Sequence, residues 1–142
     1  MPDDAYEVPL GVADVVADGD DVTLIGYGAM MREIRRAVEM LAAEGVGATA
    51  VDLRTLSPLD VETIVETVRH TGRAVVVHEA PRTAGLGAEV VALIQEHALY
   101  DLQAPVARVT GWDTVVPLRR AEQHYVPTVE RIAAAARATM EA

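Results

Sequence analysis

The period of the apolar positions changes repeatedly along the chain, and each change marks an element. Val22-Thr23-Leu24-Ile25-Gly26-Tyr27 is a short apolar run, as expected of a strand buried on both faces. Gly28 ends it. Met30, Ile34, Ala37, Val38 and Leu41 then recur at spacings of three and four, which predicts an amphipathic helix over 29–44. Gly45 stands where a left-handed cap belongs. Ala48 to Leu53 reads as a second buried strand. Ser57-Pro58 supplies an N-cap and a first-turn proline, so a second helix is expected to start there. Its inner face is Val61, Ile64, Val65 and Val68, and Gly72 closes it.

The rhythm continues to the end. Arg73 to His78 contains Ala74-Val75-Val76-Val77, a third buried strand, and Leu86, Val90, Leu93, Ile94 and His97 predict a third helix. Val106 to Val109 is a fourth core strand. A last helix from about Pro127 to Thr139 turns Val129, Ile132, Ala133 and Ala136 inward. Upstream, Val12 to Val16 reads as a short edge strand and Asp18-Gly19-Asp20 as a turn. Strand–helix alternation with near-continuous apolar strands predicts an α/β fold. The expected form is a three-layer α/β/α sandwich around a mostly parallel sheet of about five strands, with one antiparallel edge strand. Residues 1–10 read as a linker-like acidic leader and 11–142 as a single domain.

Composition narrows the function. Apolar residues make up 51% of the chain and charged residues 24%, which is globular. Twelve basic residues face 22 acidic ones, for a net charge of −10, so nucleic acid and membrane surface are unfavourable partners. Seven of the 22 acids lie in residues 1–21, which carry no basic residue. The chain has no Cys and no Lys, which excludes thiolate metal sites, Cys nucleophiles and Schiff-base chemistry. Its single Ser, Ser57, lacks a nucleophile-elbow context. No apolar run approaches the roughly 18 residues of a membrane span, and the start of the chain has no signal-peptide pattern. A cytoplasmic location is expected.

In a parallel α/β sheet, ligands bind beyond the carboxyl ends of the strands. Gly26-Tyr27-Gly28 resembles the start of a phosphate-binding turn, but Met31 occupies the place of the third glycine, so the two glycines read first as a tight turn. His78-Glu79-Ala80-Pro81-Arg82 is the densest polar cluster. His78 and Glu79 are adjacent, so strand geometry points them to opposite sides. Either they form an acid–base pair, or one caps a neighbour while the other pairs with an arginine. Arg54 either binds an anion or pairs with Glu79. Gly28, Arg54, His78, Glu79 and Arg82 are thus the candidate ligand or interdomain site. His70, His97 and His124 lack partners at metal-ligand spacing, so no metal site is expected. Trp112 reads as an interdomain plug or a partner-binding anchor.

Several strings together resemble one family. They are Val22 to Gly28, Val51-Asp52-Leu53-Arg54-Thr55-Leu56-Ser57-Pro58-Leu59-Asp60, Thr71-Gly72-Arg73, His78-Glu79-Ala80-Pro81, Gly85-Leu86-Gly87-Ala88-Glu89 and Ala104 to Gly111. From about Pro9 to the end, the chain resembles the C-terminal transketolase-type domain of the beta subunit of a 2-oxo acid dehydrogenase E1 component. His78 to Pro81 and Gly111-Trp112-Asp113-Thr114 look most like branched-chain members, with pyruvate and acetoin dehydrogenases as close alternatives. The resemblance implies a parent enzyme of two alpha and two beta subunits. Thiamine diphosphate and magnesium lie there between the alpha subunit and the N-terminal domain of beta. No catalytic or cofactor-binding residue is therefore expected here. It also implies contacts with a second beta subunit and with the subunit-binding domain of the E2 acyltransferase. Glu122, Glu130, Glu141 and the terminal carboxylate of Ala142 are the expected contacts, together with Trp112. Two other readings stay open: a stand-alone ligand-binding module, and the C-terminal domain of a transketolase or deoxyxylulose-phosphate synthase.

Overall fold

The computed structural model describes residues 7–117, 121 and 124–142. Strands β1 (Asp14–Ala17), β2 (Val22–Gly26), β3 (Ala48–Asp52), β4 (Ala74–Pro81) and β5 (Ala107–Gly111) form one sheet in the order β1-β3-β2-β4-β5. The helices are α1 (Met30–Ala43), α2 (Val61–Thr71), α3 (Gly87–Ala98) and α4 (Val129–Met140), with a 3-10 turn at Leu99–Asp101. β1 runs antiparallel to β3, while the β3–β2, β2–β4 and β4–β5 pairs are parallel. The expected α/β sandwich with one antiparallel edge strand is thus the observed fold.

Alternation along the strands divides the core in two. Val22 and Leu24 of β2, with Val75 and Val77 of β4, face α1 and α4. Ile25 and Val76 face α2 and α3. Every residue of β2 is buried, as a central strand covered on both sides requires. This includes Thr23, whose hydroxyl meets the Thr71 hydroxyl at 2.8 Å and donates to the Thr67 carbonyl of α2 at 3.0 Å. A buried hydroxyl is tolerated where it is so satisfied.

α1 buries Met30, Met31, Ile34, Ala37 and Leu41. Gly45 follows with φ +82°, and the Val46 amide donates to the Leu41 carbonyl at 3.0 Å, so the helix ends as its sequence suggests. α2 departs from expectation. It starts at Val61 and not at Ser57-Pro58, which lie in the connecting loop with a cis bond between them. The cap is Asp60. One carboxylate oxygen accepts from the Thr63 amide at 3.1 Å, and the other from the Thr63 hydroxyl and the Ala13 amide, each at 2.8 Å. The cap therefore also ties the segment before β1 to the start of α2, which Ser57 does not do. β4 runs to Pro81, three residues past its expected end, and β1 starts two residues later than expected. Among the described residues, no helix is long and apolar enough to cross a membrane.

Asp60→Ala is expected to lower unfolding stability by about 1–2 kcal/mol in urea titrations, the usual cost of losing an N-cap. Burial pushes the Asp60 carboxyl up, but the hydrogen bonds from Ala13 and Thr63 together hold it below its ordinary value. A lowered carboxyl stabilises the fold above its ordinary titration range and loses that effect as the pH falls through it. The gap between the two proteins should therefore narrow below about pH 4.

A stitched carboxyl edge as candidate functional site

The loops after β2, β3, β4 and β5 meet at the carboxyl edge of the sheet. Gly28 turns the chain from β2 into α1 with φ +59°, and its carbonyl accepts from the Met31 amide at 3.2 Å. A β carbon there would meet open space. The glycine serves a positive φ, not a close approach.

Arg54 neither faces Glu79 nor stands free for an anion. Its Nη2 lies 2.5 Å from the Asp14 carboxylate, so it ties the end of β3 to β1, both side chains being partly exposed. A pair this exposed contributes little energy but sets where the side chain lies.

His78 and Glu79 diverge as the pleat dictates. Glu79 is exposed, while His78 is fully buried. Neither ring nitrogen of His78 has a hydrogen-bond partner, so it neither caps an element nor pairs with an arginine. Burial holds the imidazole below its ordinary value; the Ala80 main chain opposes this and the Arg108 charge adds to it. Gly85 and Gly87 lie against the ring, and a β carbon on either would approach it within 2.6 Å. Burial raises the Tyr27 phenol, and the nearby Glu79 charge adds to the effect.

The remaining polar groups stitch loops together. Arg82 donates to the Arg108 carbonyl at 3.4 Å, and Arg108 returns a bond to the Arg82 carbonyl at 3.2 Å. Asp113 accepts from the Thr83 amide at 2.9 Å and the Thr83 hydroxyl at 2.7 Å, which hold its carboxyl below the ordinary range. The Trp112 indole N–H donates to the His124 carbonyl at 3.1 Å, and the Arg131 guanidinium stacks 4.6 Å from the ring centroid. Arg131 also donates to the Thr110 carbonyl at 2.7 Å. Trp112 still leaves 54% of its surface exposed, beside exposed Val115 and Val116. Sequence reasoning missed Asp113 and Arg131. Asp113 was within reach, as a short acid next to a loop Trp; the Arg131 contact depends on where α4 packs.

The expected partner contacts spread apart. Glu130 sits in the first turn of α4, held below its ordinary value by its own main-chain amide and the Thr128 hydroxyl, with Arg36 contributing. Glu141 and Ala142 follow the other end of that helix, about 16 Å away at 1.5 Å per residue. Glu122 lies outside the described residues. Among the described residues, no three His, Asp or Glu side chains converge as a metal site would require.

The family model for the transketolase C-terminal domain matches residues 11–132. The chain belongs to that family. It is 45% identical over 141 residues to the pyruvate dehydrogenase E1 component subunit beta of Bacillus subtilis (strain 168), covering 99% of this chain and 43% of that one. The subunit of the same name from Acholeplasma laidlawii is 42% identical over 134 residues, covering 94% and 41%. A solved structure titled split gene transketolase, inactive beta4 tetramer, superposes with a TM-score of 0.84 at 31% identity, covering 99% of this chain and 44% of that one. A 2-oxoglutarate:ferredoxin oxidoreductase from Magnetococcus marinus shares the fold, with a TM-score of 0.61 at 16% identity. The transketolase C-terminal domain thus spans less than half the length of the curated relatives it matches.

The contact between the glycines and His78 gives a double-mutant test. Gly87→Ala is expected to cost roughly 1–3 kcal/mol in unfolding titrations, as overpacking does. In a His78→Ala background the same change should cost clearly less, because the obstructing ring is gone.

Proposed function

We propose that this chain is the C-terminal domain of the beta subunit of a 2-oxo acid dehydrogenase E1 component, acting in assembly and docking and not in the chemical step. The observation that carries the reading is the 42–45% identity, over nearly the whole chain, to subunits named as pyruvate dehydrogenase E1 beta. Oxidative decarboxylation of a 2-oxo acid is then the work of the assembled parent. Pyruvate is the substrate those names favour. His78 to Pro81 and Gly111 to Thr114 favour the branched-chain alternative.

The residues present do not suit thiamine diphosphate and magnesium on their own. Arg54 is engaged by Asp14, and His78 is sealed from solvent. Among the described residues, Glu79 belongs to no group of three His, Asp or Glu side chains that could hold a cation. In this reading the cofactor sits between the alpha subunit and the other half of beta, in the cytoplasm. The chain contributes surface. The Trp112 edge, with Val115 and Val116, faces other subunits of the E1 assembly. Glu141 and the Ala142 carboxylate form one docking point for the basic E2 module, and Glu130 a second. Acidic groups speed encounter with a basic partner more than they add affinity.

Reconstitution tests this reading. With thiamine diphosphate and magnesium, the chain alone should turn over neither pyruvate nor branched-chain 2-oxo acids. Adding the remainder of the beta subunit and the alpha subunit should restore turnover, and the preferred acid then names the substrate. Turnover by the chain alone, or failure to join those partners, would overturn the proposal. Salt-sensitive binding to the E2 module, weakened by Glu141→Gln, is the expected docking result.

A further inference from the structure

His78 is a buried titratable group that the assembly role leaves unused. It is wholly excluded from solvent, and neither Nδ1 nor Nε2 has a hydrogen-bond partner. It lies on the same face of β4 as Val76, toward α2 and α3. A β carbon on Gly87 would stand 2.4 Å from Nε2, and one on Gly85 2.6 Å from Cε1. The backbone of this segment therefore rests directly on the ring, with no space for water between them.

An imidazolium carries two N–H donors, and each needs an acceptor when buried. The Ala80 main chain favours the cation, but burial outweighs it and the Arg108 charge opposes it. α2 turns Ile64, Val65 and Val68 to this side of the sheet. The charged groups on the other elements packed here are Arg82 in the loop, Glu89 in the first turn of α3 and Arg108 on β5. Two of these are cations, and the N-terminal end of α3 adds positive potential. Glu89 is exposed, as is Glu79 on the opposite side of the strand, and the Tyr27 phenol beyond β2 is neutral at ordinary pH.

We propose that neutral His78 is an acid-sensitive latch for the loop 82–86 and the first turn of α3, which lift from the sheet when the ring takes up a proton. The ring reaches water when Gly85 and Gly87 move aside. The segment is suited to local opening, since Arg82, Thr83 and Ala84 are already exposed. Its outer ties are the Thr83–Asp113 and Arg82–Arg108 bonds. Opening would reshape the carboxyl edge beside Trp112. The direction of the imidazole shift agrees: a lowered value favours the closed form above the ordinary histidine range, and that preference is lost as the pH falls below it. The inference does not depend on which parent enzyme the domain serves.

Hydrogen exchange of the full chain between pH 7.5 and 5.5, corrected for intrinsic rates, tests the latch. Carboxylates keep their charge in this window. His70, His97 and His124 are all exposed and lie outside the latched segment. Amides of 83–90 should lose about tenfold in protection while those of β3 do not, and His78→Leu should abolish the difference. Nuclear magnetic resonance of the unaltered chain should place the His78 midpoint below the ordinary histidine value. Unchanged protection, an equal loss in His78→Leu, or an ordinary His78 midpoint would each overturn the latch. If His78→Leu does not fold, the midpoint in the unaltered chain decides.

Discussion

The structure depends on covering β2 and β4 from both sides at once. Leu24 and Ile25 are neighbours in sequence, yet they belong to opposite halves of the core. Four helices must therefore pack on two faces, and parallel strands require that each crossover return over the sheet. Polar groups in these strands must be satisfied within the sandwich, as the Thr23–Thr71–Thr67 arrangement does. Burial on this scale, at about 25 cal/mol per Å² of apolar surface, dominates the folding free energy. The loops at the strand ends are the places left for variation.

At the carboxyl edge those loops are joined to one another. Asp113 holds Thr83, Arg82 and Arg108 exchange bonds with each other's carbonyls, and Arg131 holds the Thr110 carbonyl while covering Trp112. These side chains set the loop geometry. These ties give the edge a defined shape.

Much of this was legible in the sequence. The three- and four-residue apolar spacing placed α1, and the unbroken runs placed β2 and β3, because core burial writes directly into periodicity. The start of α2 was misread because Ser57-Pro58 is a good local cap, while Asp60 also binds Ala13, 47 residues away. Arg54 was misassigned for the same reason, since Asp14 reaches it only through the antiparallel pairing of β1 with β3. The opposed directions of His78 and Glu79 followed from the pleat. The closeness of Gly85 and Gly87 to His78 did not, because it depends on how the loop returns over the sheet.

The net charge takes on a different meaning once these contacts are known. The acid-rich opening segment reads as a solvated leader, but three of its acids, Asp14, Asp20 and Asp21, make structural contacts. Asp14 binds Arg54, Asp20 lies 2.7 Å from His70, and Asp21 accepts from the Gly47 amide at 2.7 Å. Each contact fixes the edge strand or the turn after it to the body of the sheet. A short antiparallel edge strand has few ladder bonds, so such side-chain ties help to set its register. In the docking proposed above, the acidic surface for a basic partner would instead come from Glu130 and Glu141 at the two ends of α4. In that reading their separation would favour two points of contact over one acidic face.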